Sequence, residues 1–227
     1  MKVHLIALIA VSLFGLAANA KAADMKDPKA KTSYAIGVDI AHNLKRSDLD
    51  LDPKALADGL LDALSGKPQL ADEEVKAALD EFRQQMKAKM TAKQDEAGKT
   101  NQKEGDDFLA ANAKKDGVKT TASGLQYKVI KSGKGKQPKA TDTVKTHYHG
   151  TLINGEVFDS SVDRGEPVEF PVNGVIPGWQ EALQLMKVGD KWQLVVPSAL
   201  AYGERGAGGK IGPNSTLIFE VELLEVK

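Results

Sequence analysis

The chain has 227 residues, enough for one or two domains once any processed segment is removed. Its 31 basic and 31 acidic side chains balance, so bulk charge draws it neither to nucleic acid nor to an anionic membrane. It has no cysteine, which excludes disulfides and cysteine lipidation and leaves the fold to its core or to a partner subunit.

Residues 1–22 read as a secretory signal peptide. Lys2 supplies the positive start, residues 3–17 an apolar run, and Ala18-Asn19-Ala20 or Ala20-Lys21-Ala22 a small-x-small cleavage site. The run is short of the roughly 18–20 apolar residues a spanning helix needs, and no other segment approaches it. A soluble, exported mature protein of slightly negative charge is expected.

Composition changes near residue 117. Residues 24–115 are rich in Ala, Lys, Asp, Glu, Leu and Met, whereas Val, Ile, Thr, Gly and most of the prolines come later. A helical module is therefore expected over 23–70. Asp27-Pro28 and Asp52-Pro53 each place an N-cap acid before a proline at the first helical position, and Gly66 ends the second helix. The first helix carries Tyr34, Ile36, Val38, Ile40, Ala41 and Leu44 around more than one face; the second carries Leu56, Leu60, Leu61 and Leu64. Two such helices cannot bury that surface between themselves, so the module is expected to form a homodimer. Packing onto the C-terminal domain is the alternative.

A long connecting helix is expected over 71–113. Val75, Leu79, Phe82 and Met86 form one apolar stripe, closed by Met90. The following "TAKQDEAGKTNQKEGDD" has no large apolar residue before Phe108 and Leu109, and its alternating charges read as a helix exposed on all sides. About 40 residues would reach roughly 60 Å. Gly98 and Gly105 weaken the helix, which keeps a hinge or flexible linker open.

From 118 to 227 the pattern is that of strands. Leu125, Tyr127 and Val129 alternate, and a polar loop leads into "TVKTHYHGTLINGEVFDSS", where Asn154-Gly155 signals a type I′ hairpin. "VEFPV" is a short strand, followed by a short helix entered through Pro177-Gly178-Trp179 and closed by Gly189. "KWQLVVP" and "STLIFEVELLEV" finish an antiparallel sheet of five or six strands covered by one short helix, an α+β arrangement. A tryptophan at that entrance, next to Ile176, is either the floor of an apolar pocket or ordinary core.

The stretches "THYHGTLINGEVFDSS", "VIPGWQEALQLMKVGDKW", "VPSALAYG" and "GPNSTLIFEVELLEV" resemble, in order, the FKBP-type peptidyl-prolyl cis-trans isomerases. The signal peptide, helical module, long helix and "TSYAIGVDIAHNL" are similar to the macrophage infectivity potentiator (Mip) group of that family. The resemblance implies a helical dimerisation module, a long connecting helix and a half-wrapped antiparallel sheet around one short helix. It implies a V-shaped periplasmic dimer, or one associated with the outer membrane or cell surface. Its ligands would be unfolded or proline-containing polypeptides and macrolide inhibitors of the family, with no cofactor, metal or nucleic acid. Carried over residue by residue, the catalytic set is Asp159, Tyr148 and Tyr202. Substrate binding falls to Phe158, Arg164, Val175, Ile176, Trp179, Ile211 and Phe219. Trp179 would floor the proline site, Ile176 N–H and the Tyr202 hydroxyl would bond ligand carbonyls, and Asp159 would pair with Arg164. Val168 and Ala207 stand where some members carry bulkier residues, which loosens the implied rim.

The implied reaction is a rotation. The amide barrier of about 18–20 kcal/mol reflects resonance lost in the twisted state, and an apolar pocket that grips the twisted form lowers it. No proton need move. A rival reading makes the protein chiefly a dimeric chaperone, and a third a surface interaction module, with isomerisation incidental in both. Other motifs fall away. "GAGGK" lacks the Ser or Thr a phosphate loop requires after Lys210. His147 and His149 share a strand face but find no further metal ligands in the sequence and read as solvated. Asp159 with Glu181 has no spacing that makes it a hydrolase pair.

Overall fold

A computed structural model describes residues 23–46 and 49–227; the signal-peptide reading lies outside them. The chain forms two compact units that divide between Asp72 and Glu73.

The first unit holds helices α1 (Pro28–Arg46) and α2 (Pro53–Ser65). Asp27 accepts from the Lys29 amide at 3.2 Å, and Asp52 caps α2 by accepting from Lys54 N and Ala55 N. Gly66 closes α2 in the left-handed region, with φ 71°. Neither helix buries a residue, and Tyr34, Ile36, Leu60, Leu61 and Leu64 all stand exposed, Leu64 at 79%.

The second unit begins at the second residue of α3 (Asp72–Asn112), an unbroken helix of 41 residues. Its apolar stripe is only partly covered, with Val75, Leu79 and Met90 exposed. The charged half beyond Met90 was expected to be solvated on all sides, and is not. Gly98, Gly105 and Asn112 are buried, seven residues apart, on a face that packs against the β-domain. Absent side chains make this contact: a Cβ on Gly105 would stand 2.5 Å from Thr216 Oγ1. At its end Asn112 Nδ2 donates to Gln126 Oε1 at 2.9 Å, and Gln126 Nε2 to the Leu109 carbonyl at 2.9 Å. The glycines that weaken the helix are its docking points.

The sheet has seven strands: β1 (Val118–Thr120), β2 (Gln126–Lys131), β3 (Thr143–Leu152), β4 (Val157–Ser160), β5 (Val168–Pro171), β6 (Lys191–Val196) and β7 (Leu217–Val226). All pairs are antiparallel, in the order β1-β2-β6-β7-β3-β4, with β5 also on β3. The sequence reading missed β1, three residues that alternate nothing apolar. The expected short helix is α5 (Pro177–Leu185), which ends with Met186 as its C-cap and not at Gly189, and a one-turn α4 (Ser161–Arg164) precedes it. Leu183, Met186, Leu194, Leu217, Val221 and Leu223 form the core beneath α5.

The β3–β4 turn differs from the type I′ expectation. Asn154 keeps a negative φ, since Asn214 is the one non-glycine with positive φ among the described residues. The Gly155 amide donates to the Leu152 carbonyl at 3.0 Å with Gly155 at φ 89°, and the register slips between Gly150 and Thr151. This is a turn followed by a glycine bulge, and Asn154 Oδ1 accepts from the Glu156 amide instead of entering the left-handed region.

Candidate active site

β3 sets the site by strict alternation. Val144, Thr146, Tyr148 and Gly150 point inward, while His147 and His149 face outward. β7, paired to β3 with Tyr148 opposite Val221 and Gly150 opposite Phe219, adds the Phe219 ring to the inner face. Gly150 has no side chain because a Cβ there would stand 2.7 Å from the Phe158 ring and 3.1 Å from that of Phe219.

α5 closes the inner face. Pro177 occupies its first turn, and Gly178 lets Val196 approach, so Trp179 is driven under the sheet and is only 4% exposed. Four aromatic edges meet in this region. Trp179 packs edge-on against Tyr148 at 5.4 Å, Phe170 at 6.0 Å and Phe219 at 5.3 Å between centroids, and Phe158 meets Phe219 at 5.4 Å. Between them lies a cavity of about 290 Å³ lined by Tyr148, Phe158, Asp159, Phe170, Gly174, Val175, Ile176, Trp179, Tyr202 and Phe219. The buried Trp179 lies at its depth; Tyr202, 41% exposed, stands at its mouth.

The polar groups gather on one side. The Tyr148 hydroxyl donates to Asp159 Oδ2 at 2.5 Å, Arg164 Nη2 donates to that hydroxyl at 2.9 Å, and Arg164 Nη1 pairs with Asp159 Oδ1. Local structure explains the triangle. Ser160 caps α4 by accepting from the Asp163 amide, Gly165 ends it at φ 77°, and the single turn brings Arg164 back over Asp159. Burial opposes ionisation of Asp159, but the bonds from Tyr148 and Arg164 outweigh it and hold the carboxyl below its ordinary value. Burial, reinforced by the bond to Asp159, pushes the Tyr148 phenol up. Asp159 is therefore a carboxylate and Tyr148 a neutral donor at neutral pH.

A model described as FKBP-type peptidyl-prolyl cis-trans isomerase matches residues 134–224, and one described as the domain amino terminal to it matches 29–129. The chain is 48% identical over 217 residues to the FKBP-type peptidyl-prolyl cis-trans isomerase FkpA of Aeromonas hydrophila, covering 92% of this chain and 81% of the relative. It is 52% identical to the FKBP-type 22 kDa isomerase of Escherichia coli, covering 87% of this chain and 95% of the relative. The outer membrane protein MIP of Legionella longbeachae is 44% identical, covering 97% of each chain. The crystal structure of FkpA from Escherichia coli superposes with a TM-score of 0.73 at 42% identity, over 89% of this chain and 98% of that one. The chain belongs to the FKBP-type peptidyl-prolyl cis-trans isomerase family. It is an enzyme of that class, with the fold the sequence implied.

Within this FKBP-type domain the expected site residues divide. All but Arg164 and Ile211 line the cavity. Arg164 stands behind, holding Asp159 and Tyr148. Ile211 is half-buried against the core and bridges Ala207, its amide donating to the Ala207 carbonyl at 3.0 Å. Val168 packs against the core edge, and Phe170, two residues on and on the same strand face, supplies a wall the sequence reading missed. The period-two rule applied to "VEFPV" places Phe170 on the Val168 face without singling it out. The outward histidines are not simply solvated: His147 Nδ1 lies 3.1 Å from Ser161 Oγ, and His149 Nδ1 2.9 Å from Ser160 Oγ. Among the described residues no cluster of three His, Cys, Asp or Glu could hold a metal ion, and no helix is long and apolar enough to cross a membrane.

Proposed function

We propose that this isomerase binds the proline of an X-Pro segment in the aromatic cavity with its ring against Trp179. The observation that carries the reading is the combination of an apolar cavity of about 290 Å³ with a single ionised carboxylate, Asp159, on its wall. A planar amide is charge-separated by resonance, and water stabilises that form; an apolar enclosure withdraws the stabilisation and favours the twisted bond. Phe158, Phe170 and Phe219 wall the ring. The Ile176 amide and the Tyr202 hydroxyl bond the flanking carbonyls, which fixes the peptide on both sides of the rotating bond. Asp159, held by Tyr148 and Arg164, lays a fixed negative field beside the reacting amide. Accelerating a step of tens to hundreds of seconds a hundred-thousandfold requires about 7 kcal/mol of differential binding. The test is NMR exchange spectroscopy on an Ala-Leu-Pro-Phe peptide with catalytic protein. Cis–trans cross-peaks that weaken about tenfold on Asp159→Ala support the site; cross-peaks that persist undiminished overturn it.

The substrates we infer are exported, unfolded polypeptides, with residues 1–22 directing export to the periplasm or beyond. The exposed apolar residues of α1 and α2 support a homodimer formed through residues 23–70, in which two cavities serve one client. Residues 118–227 then hold every group that touches a short peptide, and the helical module adds the holding of unfolded chains. Macrolides of the kind that bind this family would enter the same cavity, over a rim loosened by Val168 and Ala207.

A further inference from the structure

One face of α3 leads to the mouth of the cavity. Asn101 Nδ2 donates to the Pro213 carbonyl at 2.8 Å and reaches Ser215 Oγ at 3.4 Å. One turn before it, Gly98 is buried: a Cβ there would stand 3.2 Å from Pro213 Cβ and 3.3 Å from Asn214 Nδ2. One turn after it, Gly105 lies under Thr216. The helix thus grips the segment that precedes β7. The same segment turns back on the cavity, because the Asn214 amide donates to the Gly203 carbonyl at 2.8 Å. Gly203 follows Tyr202, the residue at the cavity mouth. Asn214 makes that bond at φ 54°, in the left-handed region, which asparagine enters more readily than most non-glycine residues but at some cost relative to negative φ.

We propose that α3 is a positioning element of the isomerase site, and that Asn101 fixes Tyr202 through Pro213, Asn214 and Gly203. The enforcement at Asn214 has an evident source: with Pro213 held by Asn101 and no side chain on Gly98, the loop is clamped on the helix side. Released from the clamp, Asn214 relaxes toward negative φ, its amide leaves Gly203, and the Tyr202 hydroxyl loses its fixed place. The helix that links the two units is in this way part of the substrate site's support. This inference rests on the proposed place of Tyr202 in the proline site.

The experiment uses the full chain from residue 23 and two readouts on Asn101→Ala. Amide hydrogen exchange is expected to accelerate at Asn214 while the β6–β7 core amides keep their protection. KM for Ala-Leu-Pro-Phe is expected to rise about fivefold with kcat unchanged, the loss of one ordinary hydrogen bond to bound peptide. In a Tyr202→Phe background the same substitution is expected to add nothing further to KM, which a merely structural role would not produce. Unchanged exchange at Asn214 overturns the inference whatever Tyr202 does. Faster exchange with a KM effect that adds fully to that of Tyr202→Phe also overturns it, since the helix then acts by another route. If Tyr202→Phe alone leaves KM unaltered, the assignment of Tyr202 to the proline site fails, a result distinct from failure of the clamp.

Discussion

The Tyr148 hydroxyl donates to Asp159 Oδ2 at 2.5 Å, across the paired strands β3 and β4. The bond joins the inner face of the sheet to the cavity's charged wall, and Arg164 completes it from the adjacent turn. Removing the carboxylate therefore has three consequences at once: the field on the substrate goes, Tyr148 loses its acceptor and Arg164 its partner. Because Asp159 is 44% exposed, solvent screens part of its effect. Asp159→Ala is expected to lower kcat/KM by about tenfold, below the hundredfold and more seen for fully enclosed stabilising groups. Saturation kinetics on a prolyl tetrapeptide measures it; an unchanged value removes Asp159 from the mechanism.

The pH dependence follows from the signs of the shifts. The Asp159 carboxyl is held below its ordinary value, so the stability and activity that need its charge are fully present above about pH 4 and are lost as pH falls below that. Tyr148 is pushed up, so its proton is retained past about pH 10. A kcat/KM profile is expected to be flat between these limits. Arg164→Gln removes one of the two bonds that outweigh burial, and is expected to move the acid limb to higher pH. A limb that stays in place would assign it to another group.

Gly150 is the point where a single methyl group would enter the site. Gly150→Ala places a Cβ 2.7 Å from the Phe158 ring, and that ring cannot retreat without disturbing Phe219. An overpacking cost of about 1–3 kcal/mol is expected, together with a fall in kcat/KM. Gly59→Ala is the comparison, since a Cβ there meets nothing within 4 Å on α2 and should stabilise that helix. Thermal denaturation of the two variants, read beside their activities, decides whether the loss is local to the walls.

Leu61 is 64% exposed on α2, among Leu60 and Leu64. If this face is the dimer interface, Leu61→Glu buries an unpaired charge and should convert the protein to a monomer while leaving short-peptide isomerisation unchanged. Light scattering reads the mass. A variant that stays dimeric places the interface elsewhere.

The site residues are legible through the family resemblance; alternation by itself only sorts strand residues by face and leaves Trp179 as pocket floor or ordinary core. Tyr148, Phe219 and their strand neighbours follow period two, and Trp179 stands out because Pro177-Gly178 opens a helix directly before it. Phe170 obeys the same rule, but on a strand of four residues the pattern barely repeats and gives it no signal of its own. The docking face of α3 was illegible for a different reason. Hydrophobic periodicity detects side chains that are present, and here Gly98, Gly105 and Asn112 make contact through absent side chains and amide bonds.

The succession of the longer strands along the chain, the caps of α2 and the change from helix to sheet near residue 117 are determined by the sequence alone, because each depends on neighbours within a few positions. Tertiary structure alone decided the rest. It brought Arg164 onto the Tyr148 hydroxyl, turned Phe170 to the cavity, and set a run of charged residues against the loop beside Tyr202. Those outcomes rest on distances between segments up to 116 positions apart, such as Gly98 and Asn214. Local propensity is blind to contacts of that span; only packing the sheet around α5 and against α3 fixes them.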